Sequence, residues 1–254
     1  MRSAVQRGLI GSALLALCLL AGALPARAQQ LQNLYPNFFS IADPAVLDAF
    51  MFGGAFGSPK YGVVDEGFQA EQSVTPYIGI VSRLTGYQVW VGDHYDNPLV
   101  PATGHQSRLN FGRAQGGLEF EIYPGTHLFV LGGHDFGDSD ATVIEGDVSS
   151  WWFTHTPHPV NLSFSALHNY QNHVTSAEID PRIVATSTDD YLVTAGVGGA
   201  IYQGGTIGAA QGQGGVDLGI YFRKWAIGLD MQAGYGTADG YGEVSFIKQW
   251  DFFE

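Results

Sequence analysis

Few residues in this chain have the types and spacing that chemistry needs, and they fall into four groups. Asp147, Ser149 and His168 flank a Pro157-His158 turn, and in a hairpin folded about that turn Asp147 lies opposite His168 with Ser149 next on the same outward face. A base, an orienting acid and a hydroxyl in that order could activate the serine for acyl transfer, so the three are a candidate catalytic set. Against it stands the reading that these polar residues are solvated where the strand leaves its packed surroundings. Asp135, Asp138 and Asp140 crowd one loop and offer oxygen ligands to Ca²⁺, yet the EF-hand spacing and its closing Glu are missing, and a solvated acidic loop is the competing account. His155 and His158 have the spacing of a metal pair without a third ligand, which fits a turn better. Outside these groups, Gly204-Gly205 and residues 212–215 lack the strand-to-helix setting of a phosphate loop. No catalytic set is favoured, and no cofactor is expected apart from that possible Ca²⁺.

The fourth group is Asp217 with Asp230, and the stretch that holds it organises the chain. Residues 216–235, VDLGIYFRKWAIGLDMQAGY, form a hairpin about Arg223-Lys224 in which Phe222 faces Trp225, Ile220 faces Ile227, Leu218 faces Leu229 and Val216 faces Met231. On the other face Tyr221 meets Ala226, Gly219 meets Gly228 and Asp217 meets Asp230. Strand side chains alternate between faces, so this register separates an apolar face from a small or charged one. The apolar face is either the core of a soluble sheet or the lipid side of a transmembrane barrel. In the second case Asp217, Asp230, Glu119, Glu121 and Arg83 line a lumen, and Arg83, Arg113 or Arg182 could offset the facing aspartates.

Arg2 and Arg7, an apolar run over residues 9–24 and Ala26-Arg27-Ala28 make residues 1–28 a secretory signal, with a mature chain beginning near Gln29. The chain's single cysteine, Cys18, lies in that signal, which removes disulfides and thiolate sites from the rest. Without Arg2, Arg7 and Arg27, eight of the 11 Lys and Arg remain against 24 Asp and Glu, a formal charge of −16 that disfavours nucleic acid. The 35 Gly with 16 Phe, 12 Tyr and five Trp suit strands with small inward positions and aromatic rims.

Residues 29–47 carry turn signals and are expected to be a periplasmic segment. A first strand is expected over residues 48–56, then a polar connection over 57–73. A hairpin over 74–91 closes at Thr85-Gly86, with Arg83 and Gln88 on one face. Residues 93–110 hold Pro98 and Pro101 and read as a loop. Residues 118–132 fold about Pro124-Gly125-Thr126, with Ile122 facing Leu128, Phe120 facing Val130, and Glu119 and Glu121 opposite. Further strands follow over 143–170, 179–197, 216–235 and 241–252. Tight connections alternating with longer loops, and both ends on the tight side, predict an all-β, up-and-down antiparallel transmembrane barrel of about twelve strands, or ten, over residues 48–254.

With the export signal, the alternating hairpins, the aromatics near strand ends (Tyr87, Trp151, Trp152, Tyr191, Trp225, Tyr235, Trp250) and the final strand bearing Val244, Phe246, Trp250 and Phe252, the chain resembles the bacterial outer-membrane β-barrel proteins. That resemblance implies a place in the outer membrane, with its lipids and the barrel-assembly machinery as partners. The family usually ends on an aromatic residue, whereas this chain ends Phe253-Glu254 and carries Lys248 on the apolar face. Three functions are consistent with the sequence. One is a non-enzymatic barrel, either a narrow channel for cations or small polar solutes or a surface structural and binding protein. The others are an outer-membrane lipid hydrolase using Ser149, His168 and Asp147, and a soluble secreted β-barrel that binds a small apolar ligand.

Overall fold

The computed structural model of the chain describes residues 47–58, 61–75, 77–91, 108–171, 173–204, 211–237 and 239–252. The expected signal at 1–28 and the segment before Leu47 lie outside them. The described residues form twelve antiparallel strands, each paired with its neighbours in sequence, and the first pairs with the last to close a barrel. The strands are β1 (Leu47–Gly57), β2 (Tyr61–Thr75), β3 (Ile78–Val91), β4 (Arg108–Tyr123), β5 (Thr126–Gly137), β6 (Thr142–Trp152), β7 (Val160–Asn169), β8 (Val174–Ser187), β9 (Tyr191–Gly204), β10 (Gln211–Phe222), β11 (Ile227–Gly236) and β12 (Asp239–Phe252). Closure runs without a break from Leu47 opposite Phe252 to Gly57 opposite Gly242.

The apolar face is on the outside. Val216, Leu218, Leu229 and Met231 all point outward, with Val216 62% and Met231 50% exposed, while Asp217 and Asp230 point inward and are buried. This overturns the soluble barrel with a greasy interior and is the arrangement of a transmembrane barrel. Exposed aromatics crowd both ends of the outer wall. Tyr77, Tyr123, Trp152, Tyr191, Trp225 and Trp250 gather at the end that holds both chain ends of the barrel, and Trp90, Phe136, Tyr170 and Tyr235 at the other. Ten residues separate Trp225 from Tyr235, about 25 Å at a strand tilt near 40°, the height of an outer-membrane apolar band. Lys248 sits on this face, but its Nζ donates to the Trp225 carbonyl at 2.5 Å and lies 5.5 Å from the Trp250 ring centre, so the charge reaches the rim. Tyr87 and Trp151, expected in the rims, turn inward instead: Tyr87 stacks on Phe111 and Trp151 packs against an interior apolar cluster.

Several expected boundaries move. Residues 61–75 are a strand, not a polar connection. Residues 78–91 are one strand with Thr85-Gly86 in its middle, so the twelve strands include one gained and one hairpin lost. Strand β4 begins at Arg108, inside the segment read as a loop, and β5 runs on to Gly137. Strands extended in this way leave short connections between β5 and β6 and between β7 and β8, so the expected contrast between tight turns and longer loops is not seen there.

Registers shift with turn length. Between β10 and β11 the chain makes a 3-10 turn over Arg223–Trp225 and then a left-handed Ala226 (φ 48°). Phe222 therefore faces Ile227, Leu218 faces Met231, Asp217 faces Gln232, and Gly219 faces Asp230. The shift is two residues, which preserves every facing but removes the direct Asp217 to Asp230 opposition. The β4–β5 pair shifts likewise, with Phe120 opposite Leu128 and Leu118 opposite Val130. At the β6–β7 turn Phe153 is left-handed (φ 58°) and Trp152 faces Val160, which puts Ser149 opposite Ser163 rather than Ala166. That shift is three residues, and an odd shift turns one strand over.

Facing on the outer wall is testable at Leu229. In urea titrations of protein folded into lipid vesicles, Leu229→Arg should cost about 2 to 4 kcal/mol, as charges do at mid-membrane on a barrel's lipid face, whereas Leu229→Met should stay within about 1.5 kcal/mol.

Candidate functional site

The inner face carries the chemistry that this fold can offer. Three arginines point inward from β3, β4 and β8, and each is fully buried among carboxylates. Arg83 donates through Nη1 to Glu145 at 2.8 Å and through Nε to Gln69 at 2.6 Å, and Gln115 donates to the other Glu145 oxygen at 2.6 Å. Asp147 lies 3.9 Å from Arg83 Nη2, and Gln69 is bonded to Glu71. Arg113 holds Asp135 with both Nε and Nη2, and Ser139 adds a bond to the same carboxylate at 2.8 Å.

The Arg182 cluster contains the two aspartates of the opening hairpin. Arg182 meets Asp180 at 2.7 Å, Asp217 at 3.1 Å, and both oxygens of Asp230 at 2.9 and 3.0 Å. Asp217 and Asp230 thus share a cation rather than facing each other. The glycine-rich sequence makes the reach possible: a Cβ on Gly196 of β9 would lie 2.7 Å from Arg182 Cγ and 2.7 Å from Asp217 Oδ1. The guanidinium passes over that bare stretch of wall to strands two and three positions further round. A charge removed from water is tolerable only with such partners, and a bidentate carboxylate is the strongest of them.

Two apolar clusters narrow the lumen on either side of this charged band. Phe50, Phe52, Val184, Leu192 and Ile247, with Trp151 and Tyr221, lie towards the end with the chain termini. Phe56, Val63, Tyr87, Val89, Leu109, Phe111, Ala200, Tyr202 and Tyr241 lie towards the other. Glycines again make room, since a Cβ on Gly215 or Gly234 would strike Tyr241.

The remaining candidates separate. Ser149 and Asp147 are buried on the inner face, Asp147 opposite Ser165, whereas His168 is an outward position opposite Ile144 and bonds Thr175 at 2.9 Å. The turned-over β6 thus puts serine and histidine on opposite sides of the wall, and no catalytic set forms. Of the three loop aspartates, Asp135 is held inward by Arg113, Asp138 caps the Asn110 amide at 2.8 Å, and exposed Asp140 pairs with His134 at 3.0 Å. The extension of β5 pulls them apart, and among the described residues no set of three His, Cys, Asp or Glu is placed to hold a metal. His158 donates to the Val184 carbonyl at 2.9 Å, within a turn. Glu119, buried inward, bonds His127 at 2.7 Å, and Glu121 accepts from the Gly125 amide at 3.2 Å. Gln69, Gln115, Glu145 and Asp180 do not stand out in the sequence; the outward apolar Ile144 beside Glu145 and Ile179 beside Asp180 were the available signal for those two, while Gln69 lies on a strand without that contrast.

No protein-family model and no curated protein matches the chain. Solved structures do. The chain is similar to an outer-membrane channel from Pseudomonas putida F1, with TM-score 0.53 and 9% identity over 82% of this chain and 96% of that one. It is similar to LpxR from Salmonella typhimurium, with TM-score 0.54 and 8% identity over 81% of this chain and 100% of that one. It is also similar to the beta domain of the Bordetella autotransporter BrkA, with TM-score 0.50 and 9% identity over 82% and 100% of the two chains. The fold is that of the bacterial outer-membrane β-barrels, a class that spans channels and proteins of other kinds.

Arg182→Leu should destabilise the barrel by about 3 to 5 kcal/mol, because it leaves buried carboxylates without their cation. Adding Asp217→Asn and Asp230→Asn should recover much of the loss in the same vesicle titration. Gly196→Leu should act like the single Arg182 change by blocking the arginine's path.

Proposed function

We propose that the protein is a non-enzymatic outer-membrane barrel that forms a narrow, cation-preferring passage. One observation carries this reading: the described inner face buries ten carboxylates against three guanidiniums, and every guanidinium is already engaged. An acidic lumen lowers the energy of a cation relative to an anion, and the apolar clusters and crossing side chains restrict passage to small ions and water. One of the similar structures is a channel, but the argument rests on this chain's own interior.

Planar-bilayer recording tests the proposal. Wild-type protein should give small conductances with cations favoured over anions. Asp217→Asn with Asp230→Asn should lower that preference without unfolding the barrel. A charge about 4 Å from a passing ion is worth about 1 kcal/mol even in water, about fivefold for one charge, so losing both should lower the ratio by at least that factor. Anion preference, or no conductance in either protein, overturns the passage. Fractionation with outer membranes and heat-dependent gel mobility check the location, and recovery as a soluble periplasmic protein would refute it.

A further inference from the structure

The pairing of β8 with β9 is interrupted inside the wall. It runs from Val174 opposite Gly204 to Ile179 opposite Gly199, passes over Asp180 and Pro181, resumes at Arg182 opposite Gly196, and slips again at Ala185. The slips in β2–β3 and β4–β5 lie beside turns, and the other described pairs are unbroken. A proline has no N–H to give a ladder and is rare in the middle of a sheet. Pro181 keeps its place opposite Leu162 of β7, so the gap is on the β9 side, where Val197 would face it. Val197 stands six residues in from the rim residue Tyr191, about 15 Å up the wall at a tilt near 40° and within the apolar band. In hydrocarbon no water replaces a missing ladder bond, so this seam is the weakest line in the described wall.

Two arginines tie β8 to the strands beyond β9 instead. Arg182 passes inside Gly196 to Asp217 on β10 and Asp230 on β11. At the rim Arg223, which follows β10, donates through Nε to the Thr188 carbonyl and through Nη2 to Ser187 Oγ, both at 2.9 Å. The inner face of β9 between them carries Thr194, Gly196 and Gly198. A Cβ on Gly198 would lie 2.9 Å from Gln232 Nε2 of β11, so β9 is overlain from beyond rather than braced by its own side chains. The seam thus combines a thinned ladder with two straps that cross it. A wall built that way opens locally before it unfolds.

We propose that the β8–β9 seam is a lateral door between lumen and lipid, held shut by Arg182 and Arg223. Parting these strands gives the membrane's acyl chains access to the inner face at Thr194, without entry through either mouth of the barrel. The door is independent of ion passage, which needs no opening in the wall.

Hydrogen exchange on protein folded into lipid vesicles tests the seam. After correction for intrinsic rates, residues 193–199 should be protected about tenfold less than residues 128–134 of β5, whose ladder to β6 is unbroken. Pro181→Ala restores a donor and should slow exchange at the seam about fivefold. Arg223→Ala, at the exposed rim, should quicken it about two- to fivefold and leave residues 128–134 unchanged. Lipid-side labelling tests access. In a Cys18→Ser, Thr194→Cys protein, a maleimide carried on a phospholipid acyl chain should react, and Pro181→Ala should slow that reaction by the same factor. Equal protection of the two segments, or exchange that neither substitution moves, means a sealed seam and overturns the door. Fast exchange without lipid-side labelling means fraying alone and overturns it too. If Thr194→Cys fails to fold, the exchange responses to Pro181→Ala and Arg223→Ala decide. Conductance is a separate readout: ions passing a barrel with a sealed seam would sink the door and keep the passage, and lipid-side labelling of a non-conducting barrel would do the reverse.

Discussion

Closure of the β1–β12 seam is the constraint on which everything else depends. A strand within lipid must satisfy each backbone N–H and C=O through its neighbours, since hydrocarbon offers no partner. The unbroken pairing from Leu47 with Phe252 to Gly57 with Gly242 removes the edge that an open sheet would expose. Once the sheet is closed, alternation divides the chain's side chains between lipid and lumen, and neither population has a third place to go.

The lumen is then filled by a small set of long side chains whose reach depends on glycine. Arg182 crosses Gly196, Tyr241 covers Gly215 and Gly234, and Gln115 crosses Gly133. A Cβ at these positions would close the route each side chain takes. The high glycine content of the inner wall is thus a packing device: bare backbone on one strand accommodates a large or charged residue from another. The acidic excess follows from the same economy of space, because three guanidiniums each serve more than one acceptor.

Legibility of the site depended on the parity of each turn. Between β10 and β11 the connection is two residues longer than the hairpin pattern suggested, so Asp217 and Asp230 kept their inward facing although their pairing changed. At the β6–β7 turn the register moved by three, and Ser149 and Asp147 swapped sides relative to His168. Nothing local announced that difference, because Ser and Trp occupy both faces of β6 near the turn. Strand β2 was hidden for a related reason: Glu66 and Gln72 are polar on the outward side while Asp65, Gln69 and Glu71 are polar on the inward side, so no period-two contrast marks it.

The sequence by itself determined an antiparallel barrel with an apolar outer wall, the aromatic rims at Trp225, Trp250 and Tyr235, and the inward facing of Asp217, Asp230, Glu119 and Arg83. These follow from side-chain alternation within single strands, which is a local property that survives errors in pairing. Only the tertiary structure decided that Arg182 joins Asp217 and Asp230, that Arg83 joins Glu145, and that Ser149 and His168 part. Those contacts link strands up to three positions apart around a closed wall. They depend on barrel curvature and on every intervening register, and a single odd shift exchanges the two faces of a strand.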